Sequence, residues 1–498
     1  MILLGLNLLF SIVPFCFGND TGKDITPAKV HQVGIGVGNL HHNDVSTSIE
    51  YIVSNTDEWG SPLLIDTSHA SQNEHLIAKA ISKGRAAYDD KKKKGGMRNK
   101  KSDNSGENDG DDATDTITIV TKVWYTHLGY NRTIISVEDS LLELSQGERN
   151  PDGTPALPPY MKVIVLIHWP RCSEEVEWMH CKDEENAVSD HTKQFGPSPL
   201  DFVPDGKTPD PWMESYLALQ DLYINEKIHG IGVSNFDSRE MEQLFSFATH
   251  GPHVYQGNIW QYFFDIPLMK ILHEKKVAYM AYNSLNGILK GKEKAPKAFA
   301  ELQAVGRELG PEAIRQLKGA GHLQELLSKD DKDVADELAV TYEPATILLS
   351  WLTRGGVNVI PRPSSHEHIV ANSPNFVFSV PNMLELNGGL FAQRVNLAAR
   401  SLLAREDLDS RNGQNPEQSV IANFANKIEG AVKVFWVHSE TGEEHEASIA
   451  IPPGSNTQIH THPGHEFVVR DLNGNKIGTG RHKVSASYGE KEEFSVEL

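Results

Sequence analysis

The segment Leu63-Leu64-Ile65-Asp66-Thr67-Ser68-His69-Ala70-Ser71-Gln72-Asn73-Glu74-His75 decides the fold. Three apolar residues end in a carboxylate, Asp66, and a polar turn follows. From Asn73-Glu74 onward the spacing of Leu76, Ile77 and Ala80 reads as an amphipathic helix. The pattern is strand, loop, helix, with an acid at the carboxyl end of the strand. Working outward, the same unit recurs. On the amino-terminal side, residues 33–38 (VGIGVG) read as a short strand closing in a glycine turn, and residues 45–57 as a helix. The glycines lack the GxGxxG spacing, which favours a tight turn over a phosphate loop. On the carboxyl side, apolar strands are predicted at Ile117–Trp124, Met161–Pro170, Ile228–Phe236, around Val254, at Val277–Leu285 and at Val357–Pro363. Helices are predicted near 74–83, 134–145, 211–225, 238–248, 266–275, 332–353 and 365–372. Near-continuous apolar strands alternating with helices imply a parallel sheet covered by helices. Eight such strands imply an α/β fold of the (β/α)8 TIM-barrel type. A doubly wound sheet is the rival, disfavoured because polar residues end nearly every strand instead of clustering at one switch point.

Composition bounds the function. The chain has 498 residues, 39% hydrophobic and 23% charged, enough for a sizeable core and more than one domain. A formal net charge of -20 argues against a nucleic-acid partner, which calls for a basic face. Residues 1–18 (MILLGLNLLFSIVPFCFG) read as a secretory signal peptide, which places the protein in the secretory pathway, secreted or lumenal, and off the membrane after cleavage. Of the three cysteines, Cys16 leaves with that segment. Cys172 and Cys181 remain, nine residues apart, and an oxidising compartment suggests a disulfide, with two free thiols as the alternative. Asn19 and Asn131 head glycosylation sequons.

The domain plan follows. The barrel occupies 25–405, with a low-complexity insertion at 85–116 expected to be disordered and a charged, helical insertion at about 288–330. Residues 406–428 read as a linker. Residues 429–498 read as a small all-β domain, with strands at Val432–Val437, 446–451, 465–470 and 492–497.

The strand ends carry chemistry. Asp66, Lys122 and His168 end three successive strands and converge on the carboxyl rim of a barrel. A buried lysine beside an acid and a histidine tunes a neighbouring proton donor. Ser234, Asn235 and Gln256 are suited to hold a carboxamide, Tyr282 to stack on a flat heterocycle, and Arg362 to meet a phosphate.

These phrases, IDTSHASQNE, VTKVW, LIHWP, IGVSNF, VYQ, AYNSL and VIPRP, in this order, make residues 30–375 resemble the aldo-keto reductase family. The resemblance implies a (β/α)8 barrel that binds NADPH without a Rossmann motif and reduces the carbonyl of a small aldehyde or ketone. It implies catalytic roles for Asp66, Lys122 and His168. It implies cofactor contacts at Ser234, Asn235, Gln256, Tyr282, Ser284 and Asn372. Two departures stand out. The family's catalytic tyrosine falls five residues after the acid, where this chain has Ser71. A phenol starts near 10 and is tunable by lysine, whereas an aliphatic hydroxyl starts several units higher, and serine is shorter. His168, a water held by Ser71, and Tyr125 are the substitute proton donors. The second departure is Arg362-Pro363 in place of Lys-Ser, and His368 in place of the arginine that meets the 2′-phosphate. The expected cofactor is therefore NADP, with NAD as the alternative.

The tail contains WVHSETGE, IPPG and PGHEFVVRD and resembles the β-domain of the von Hippel-Lindau protein, a small β-sandwich that captures hydroxyproline. The resemblance implies a peptide-binding module that takes a proline-containing or hydroxyproline peptide, with His460, Thr461, His465 and Phe467 at its pocket. A rival reading groups His460, His462, His465 and Glu466 as half of a cupin-like metal motif. Its partner half is not found in the sequence, and no metal is assigned. Two function classes follow: an NAD(P)H-dependent carbonyl oxidoreductase of altered or weak activity, or a cofactor-binding scaffold or sensor beside a peptide-binding module.

Overall fold

A computed structural model of the chain describes residues 33–38, 40–59, 63–94, 116–173, 176, 178–203, 208–319, 342–362, 365–403, 420–437, 442, 444–448, 450–461, 464–486 and 491–497. The amino-terminal apolar segment, residues 95–115 and residues 404–419 lie outside this set. Two compact units divide at Leu403 and Ala404.

The first unit is an eight-stranded parallel sheet. Its strands are β1 (Ile35–Gly36), β2 (Leu63–Asp66), β3 (Ile117–Val123), β4 (Met161–Ile167), β5 (Gly230–Ser234), β6 (Val254–Asn258), β7 (Ala278–Tyr282) and β8 (Asn358–Val359), each hydrogen-bonded to the next in chain order. The ring closes between its first and last members. Val33 bridges Val359 in parallel, the Gly34 N–H donates to the Val359 carbonyl at 2.8 Å, and the Gly36 N–H donates to the Pro361 carbonyl at 3.2 Å. Strand residues alternate between two environments, as the period of two requires. Leu64, Val120, Ile164, Leu166, Val254 and Met280 form a separate apolar cluster of their own. Leu63, Ile65, Ile119, Val163, Val165 and Ile231 join the large cluster shared with the helices. Burial on both faces is why these strands read as continuous apolar runs. One interior position admits no side chain: a Cβ on Gly232 would run into the Val254 carbonyl and the Leu166 side chain.

Two boundaries differ from expectation. The helix begun at Glu74 continues to Lys94, through residues predicted to start a disordered insertion. Tertiary contacts hold its last turns. The Arg85 guanidinium lies 4.0 Å from the centre of the Tyr160 ring, the Tyr88 hydroxyl donates to Asp57 at 2.8 Å, and the Lys91 ammonium donates to Asn55 at 2.7 Å. Four lysines at the carboxyl end also suit the helix dipole. The helix expected from 332 begins at Pro344, with residues 320–341 outside the described set. The charged insertion contains the helix Pro296–Gly319, fastened by Arg394 to Glu301 and Glu308.

The second unit contains β9 (Val420–Asn426), β10 (Val432–Val437), β11 (Glu444–Glu446), β12 (Asn456–Thr461), β13 (Glu466–Asp471), β14 (Lys476–Lys483) and β15 (Lys491–Val496). They form one sheet of order β11-β10-β13-β14 and another of order β12-β9-β15. Ala422 and Phe424 from one sheet and Val432, Val434, Phe467 and Val469 from the other share one buried cluster. Strand β9 lies inside the segment predicted as linker, and β12 and β14 were not predicted. Ala422, Asn423, Phe424 and Asn426 of β9 are all buried. Asn426 Nδ2 donates to the carbonyls of Gly430 (2.8 Å) and Ile451 (2.9 Å), and Asn423 Nδ2 donates to Glu493 at 2.5 Å, while Asn423 Oδ1 has no partner among the described residues.

Gly232→Ala is expected to lower the chemical denaturation midpoint by the equivalent of about 3 kcal/mol, the upper end for overpacking, because backbone stands in the way. An unchanged midpoint would contradict this account of the barrel interior.

Candidate active site

Parallel strands bring their carboxyl ends to one rim, and the chemistry gathers there. Asp66 ends β2, Lys122 is the penultimate residue of β3 and His168 follows β4. The Lys122 ammonium donates to Asp66 Oδ1 at 2.8 Å and to the Thr67 carbonyl at 2.5 Å. Both residues are buried, Lys122 at 4% and Asp66 at 7% exposure, so each charge relies on the other. Gln256 reaches across from β6 and donates through Nε2 to the same Asp66 oxygen at 2.7 Å. The turn after Asp66 is pinned in two places. Thr67 donates to Asn73, whose amide donates to the Val37 carbonyl, and Thr121 donates to Glu74 at 2.7 Å.

His168 lies beside this pair. Its ring is 4.8 Å from that of Trp124, and its carbonyl accepts from Asn235 Nδ2 at 3.0 Å. Its Nδ1 is buried and has no hydrogen-bond partner among the described residues. Burial, and then the positive charge of Lys122, hold its pKa well below the ordinary histidine value. The imidazole is therefore neutral at physiological pH, able to hydrogen-bond a carbonyl without carrying charge.

Two of the substitute proton donors are clarified. Tyr125 is buried against Trp124, ring centres 4.5 Å apart. Burial, then the Glu184 carboxylate, pushes its phenol up, so it holds its proton and does not serve as an acid near neutrality. Ser71 ends the short 3-10 turn His69–Ser71, with its Oγ 2.9 Å from Ser68 Oγ. Among the described residues no hydrogen bond joins Ser71 to Asp66, Lys122 or His168.

The carboxamide residues are gathered but not alike. Asn235 sits in the left-handed region at φ 60 and is fully engaged: Nδ2 donates to the His168 carbonyl and to Ser234 Oγ (3.1 Å), and Oδ1 accepts from the Tyr282 hydroxyl at 2.8 Å. Burial pushes the Tyr282 phenol up to about 12. Ser284 Oγ is buried without a partner. Arg362 and His368 are exposed beyond β8, and buried Asn372 caps the helix His366–Ala371, its N–H donating to the His368 carbonyl at 3.0 Å. An unsatisfied buried hydroxyl, an aromatic face, carboxamides and an exposed guanidinium on one rim fit a nicotinamide nucleotide.

Residues 64–383 match the model of the aldo/keto reductase family. The chain belongs to that family. Among curated proteins it is 29% identical to the NAD(P)H-dependent D-xylose reductase of Candida tenuis over 164 residues, 32% of this chain and 43% of that one. It is 26% identical to the namesake from Scheffersomyces stipitis over 162 residues, 32% of this chain and 44% of that one. The chain thus spans less than half the length of these relatives. The solved aldo/keto reductase of Brucella melitensis is 19% identical, with a TM-score of 0.43, covering 75% of this chain and 99% of that one.

Sequence reasoning missed the aromatic surroundings. Trp124 and Trp169 flank His168, Trp169 at 6.5 Å, and the Trp124 indole donates to Glu184 at 2.5 Å. The signal was visible, since the phrases VTKVW and LIHWP each place a tryptophan next to a rim residue. Cys172 and Cys181 stand with Cα atoms 5.9 Å apart and their sulfurs at bonding distance.

In the second unit Thr461 Oγ1 lies 2.9 Å from His465 Nδ1, and the His465 ring is 5.4 Å from that of Trp436. Phe467 corrects the expectation. It is 1% exposed and packs on Phe424 at 5.4 Å inside the core, so it lines no surface pocket. The backbone of His460 pairs with Ile421, which places it on β12. Among the described residues no cluster of three or more metal-ligating side chains is present.

The loop after β3 carries a pH-sensitive group. His127 is buried, its ring 4.7 Å from His69, and burial lowers its pKa to about 3, with the His69 and Arg132 charges adding to this. A folded pKa below the unfolded value of about 6.5 stabilises fully above pH ~6.5, and that contribution is lost as pH falls toward 3. His127→Gln is expected to flatten the fall in denaturation free energy below pH ~6.5 by about 1.4 kcal/mol per pH unit. Equal slopes in the wild type and the variant would refute this.

Proposed function

We propose that the barrel is an NAD(P)H-dependent oxidoreductase that reduces aldehyde or ketone carbonyls, with weakened acid catalysis. The observation that carries the proposal is the buried Asp66–Lys122 pair at 2.8 Å, on the strand next to neutral His168. A bound nicotinamide nucleotide supplies the hydride. The chain's own residues do the rest. Asp66 holds the Lys122 ammonium in place, and that ammonium favours developing negative charge on the carbonyl oxygen. His168, neutral and short of a partner at Nδ1, orients the carbonyl. Ser284, its buried hydroxyl without a partner among the described residues, holds the carboxamide, with Ser234, Asn235 and Gln256 lining the same site, and the Tyr282 ring stacks on the nicotinamide. Arg362 meets the cofactor's phosphate, with His368 and Asn372 nearby in sequence. His368 is a weaker phosphate partner than arginine, so the reading extends to NADH. A water held by Ser71 returns the proton, because His168, neutral at physiological pH, is too weak an acid to do so.

Ser71 also favours a second reading, a cofactor-binding scaffold or sensor without turnover. Both are tested by titrating the purified protein with NADPH and NADH, then assaying aldehyde reduction in the wild type and in Ser71→Tyr. Cofactor is expected to bind in both. The tyrosine variant is expected to reduce aldehydes faster, up to the ~10²–10⁴-fold that general acid catalysis contributes. Binding without turnover in either protein would favour the scaffold, and no cofactor binding would end both readings.

For the second unit we propose a peptide-binding module centred on Thr461, His465 and Trp436, with His460 next to Thr461 on β12. The support is the Thr461–His465 contact beside an indole, an aromatic and hydrogen-bonding pair suited to a proline ring. Fluorescence polarisation of the full chain should register a hydroxyproline peptide and lose it in His465→Ala. Equal affinity for the peptide in wild type and variant would reject the site.

A further inference from the structure

The segment between β4 and the helix Cys181–Ala187 carries an indole with no evident structural use. Trp178 is 52% exposed, yet its ring lies 6.5 Å from Trp124 and 5.5 Å from Trp169. Those two rings lie 4.8 Å and 6.5 Å from His168. The four rings therefore form a circuit that begins and ends at His168, with Trp178 on its outer side.

The segment is fastened to the rim at several points. Cys172 and Cys181 stand on either side of Trp178, with sulfurs at bonding distance. Met179 is buried beside it, and its sulfur accepts from the Ser173 N–H at 3.4 Å. Glu184, one turn into the helix, accepts from the Trp124 indole. Glu185 pairs with the buried Arg132 guanidinium at 3.0 Å, and Arg132 also donates to the Thr126 carbonyl at 2.8 Å. So much anchoring around a half-exposed indole is more than a core needs, since about half of Trp178 remains in solvent. It is what holding a large, flat apolar face toward a ligand requires. Glu184 and Glu185 are both occupied by these partners.

We infer that Trp178 is a specificity-determining residue of the substrate pocket. It stacks on an aromatic ring carried by the substrate, and the Cys172–Cys181 link holds it in place. The inference rests on the reductase reading only in taking the ligand to be a carbonyl compound or its alcohol product.

The test is a ligand-observed NMR titration of the full-length protein, with and without NADP, using cinnamyl alcohol and n-hexanol as aromatic and aliphatic probes. Alcohols avoid adduct formation with lysines and need no turnover. The wild type should prefer cinnamyl alcohol. Trp178→Ala should weaken cinnamyl alcohol about threefold to tenfold, the range of one aromatic contact, and n-hexanol by no more than about twofold. Trp178→Phe should restore most of the preference. The double variant Cys172→Ser/Cys181→Ser should lose it as Trp178→Ala does. Equal weakening of both alcohols in Trp178→Ala, no weakening, or no wild-type preference overturns the inference. NADP binding with a preference indifferent to Trp178 sinks this inference alone. A preference that tracks Trp178 without NADP binding sustains it while the reductase reading falls.

Discussion

A lysine ammonium held away from water is the constraint on which the rim depends. Removing such a charge from solvent costs several kcal/mol, repaid only by good geometry with opposite charge and full hydrogen bonding. Lys122 receives a carboxylate from Asp66 and a carbonyl from Thr67. Each partner imposes a further condition. Asp66 must end its strand in register with β3, and its oxygen is shared with Gln256 from the opposite side of the ring. Thr67 must turn inward, so its hydroxyl is tied to Asn73 and through it to Val37 beside β1. One buried charge thus draws the ends of β1, β2, β3 and β6 into a single hydrogen-bonded unit, and it adds to the burial that keeps His168 neutral.

The barrel was legible in the sequence because parallel strands covered on both faces must be apolar throughout, and their polar endings then stand out. Asp66, Lys122 and His168 were found in this way. What the letters do not carry is which partner a polar group takes. Gln256 and Asn235 look interchangeable as carboxamides. One braces Asp66 and the other ties β5 to Tyr282, and only the closed ring decides this. Element ends fail for a related reason. Residues 85–94 look like the start of a polar insertion by composition, while a ring under Arg85 and a carboxylate at Tyr88 keep them helical. Strand β9 was hidden by two asparagines, Asn423 and Asn426, that are buried inside the fold although their letters read as polar. Phe467 was misplaced because similarity of letters says nothing about direction. Its register opposite Trp436 on β10 turns it toward the shared core.

Ser71 separates two properties that usually travel together. The frame that would tune a proton donor is intact, and the expected donor is missing. The turn holding Ser71 closes on Ser68, and a Cβ on Gly38 would stand 3.3 Å from the Ser71 hydroxyl. The serine is thus used by the loop and not by the ion pair. Stability gives no reason to keep the pair, because replacing a buried ion pair with apolar residues of similar volume is often neutral or stabilising. Its value must lie in what a fixed positive charge does at the mouth of the barrel: it favours negative charge on whatever oxygen is brought there. That preference acts on a carbonyl being reduced, where it lowers a barrier, and on a ligand merely held, where it lowers a dissociation constant. The proton step alone divides the two outcomes, and under the reductase reading it falls to a group other than the tyrosine expected at the position of Ser71.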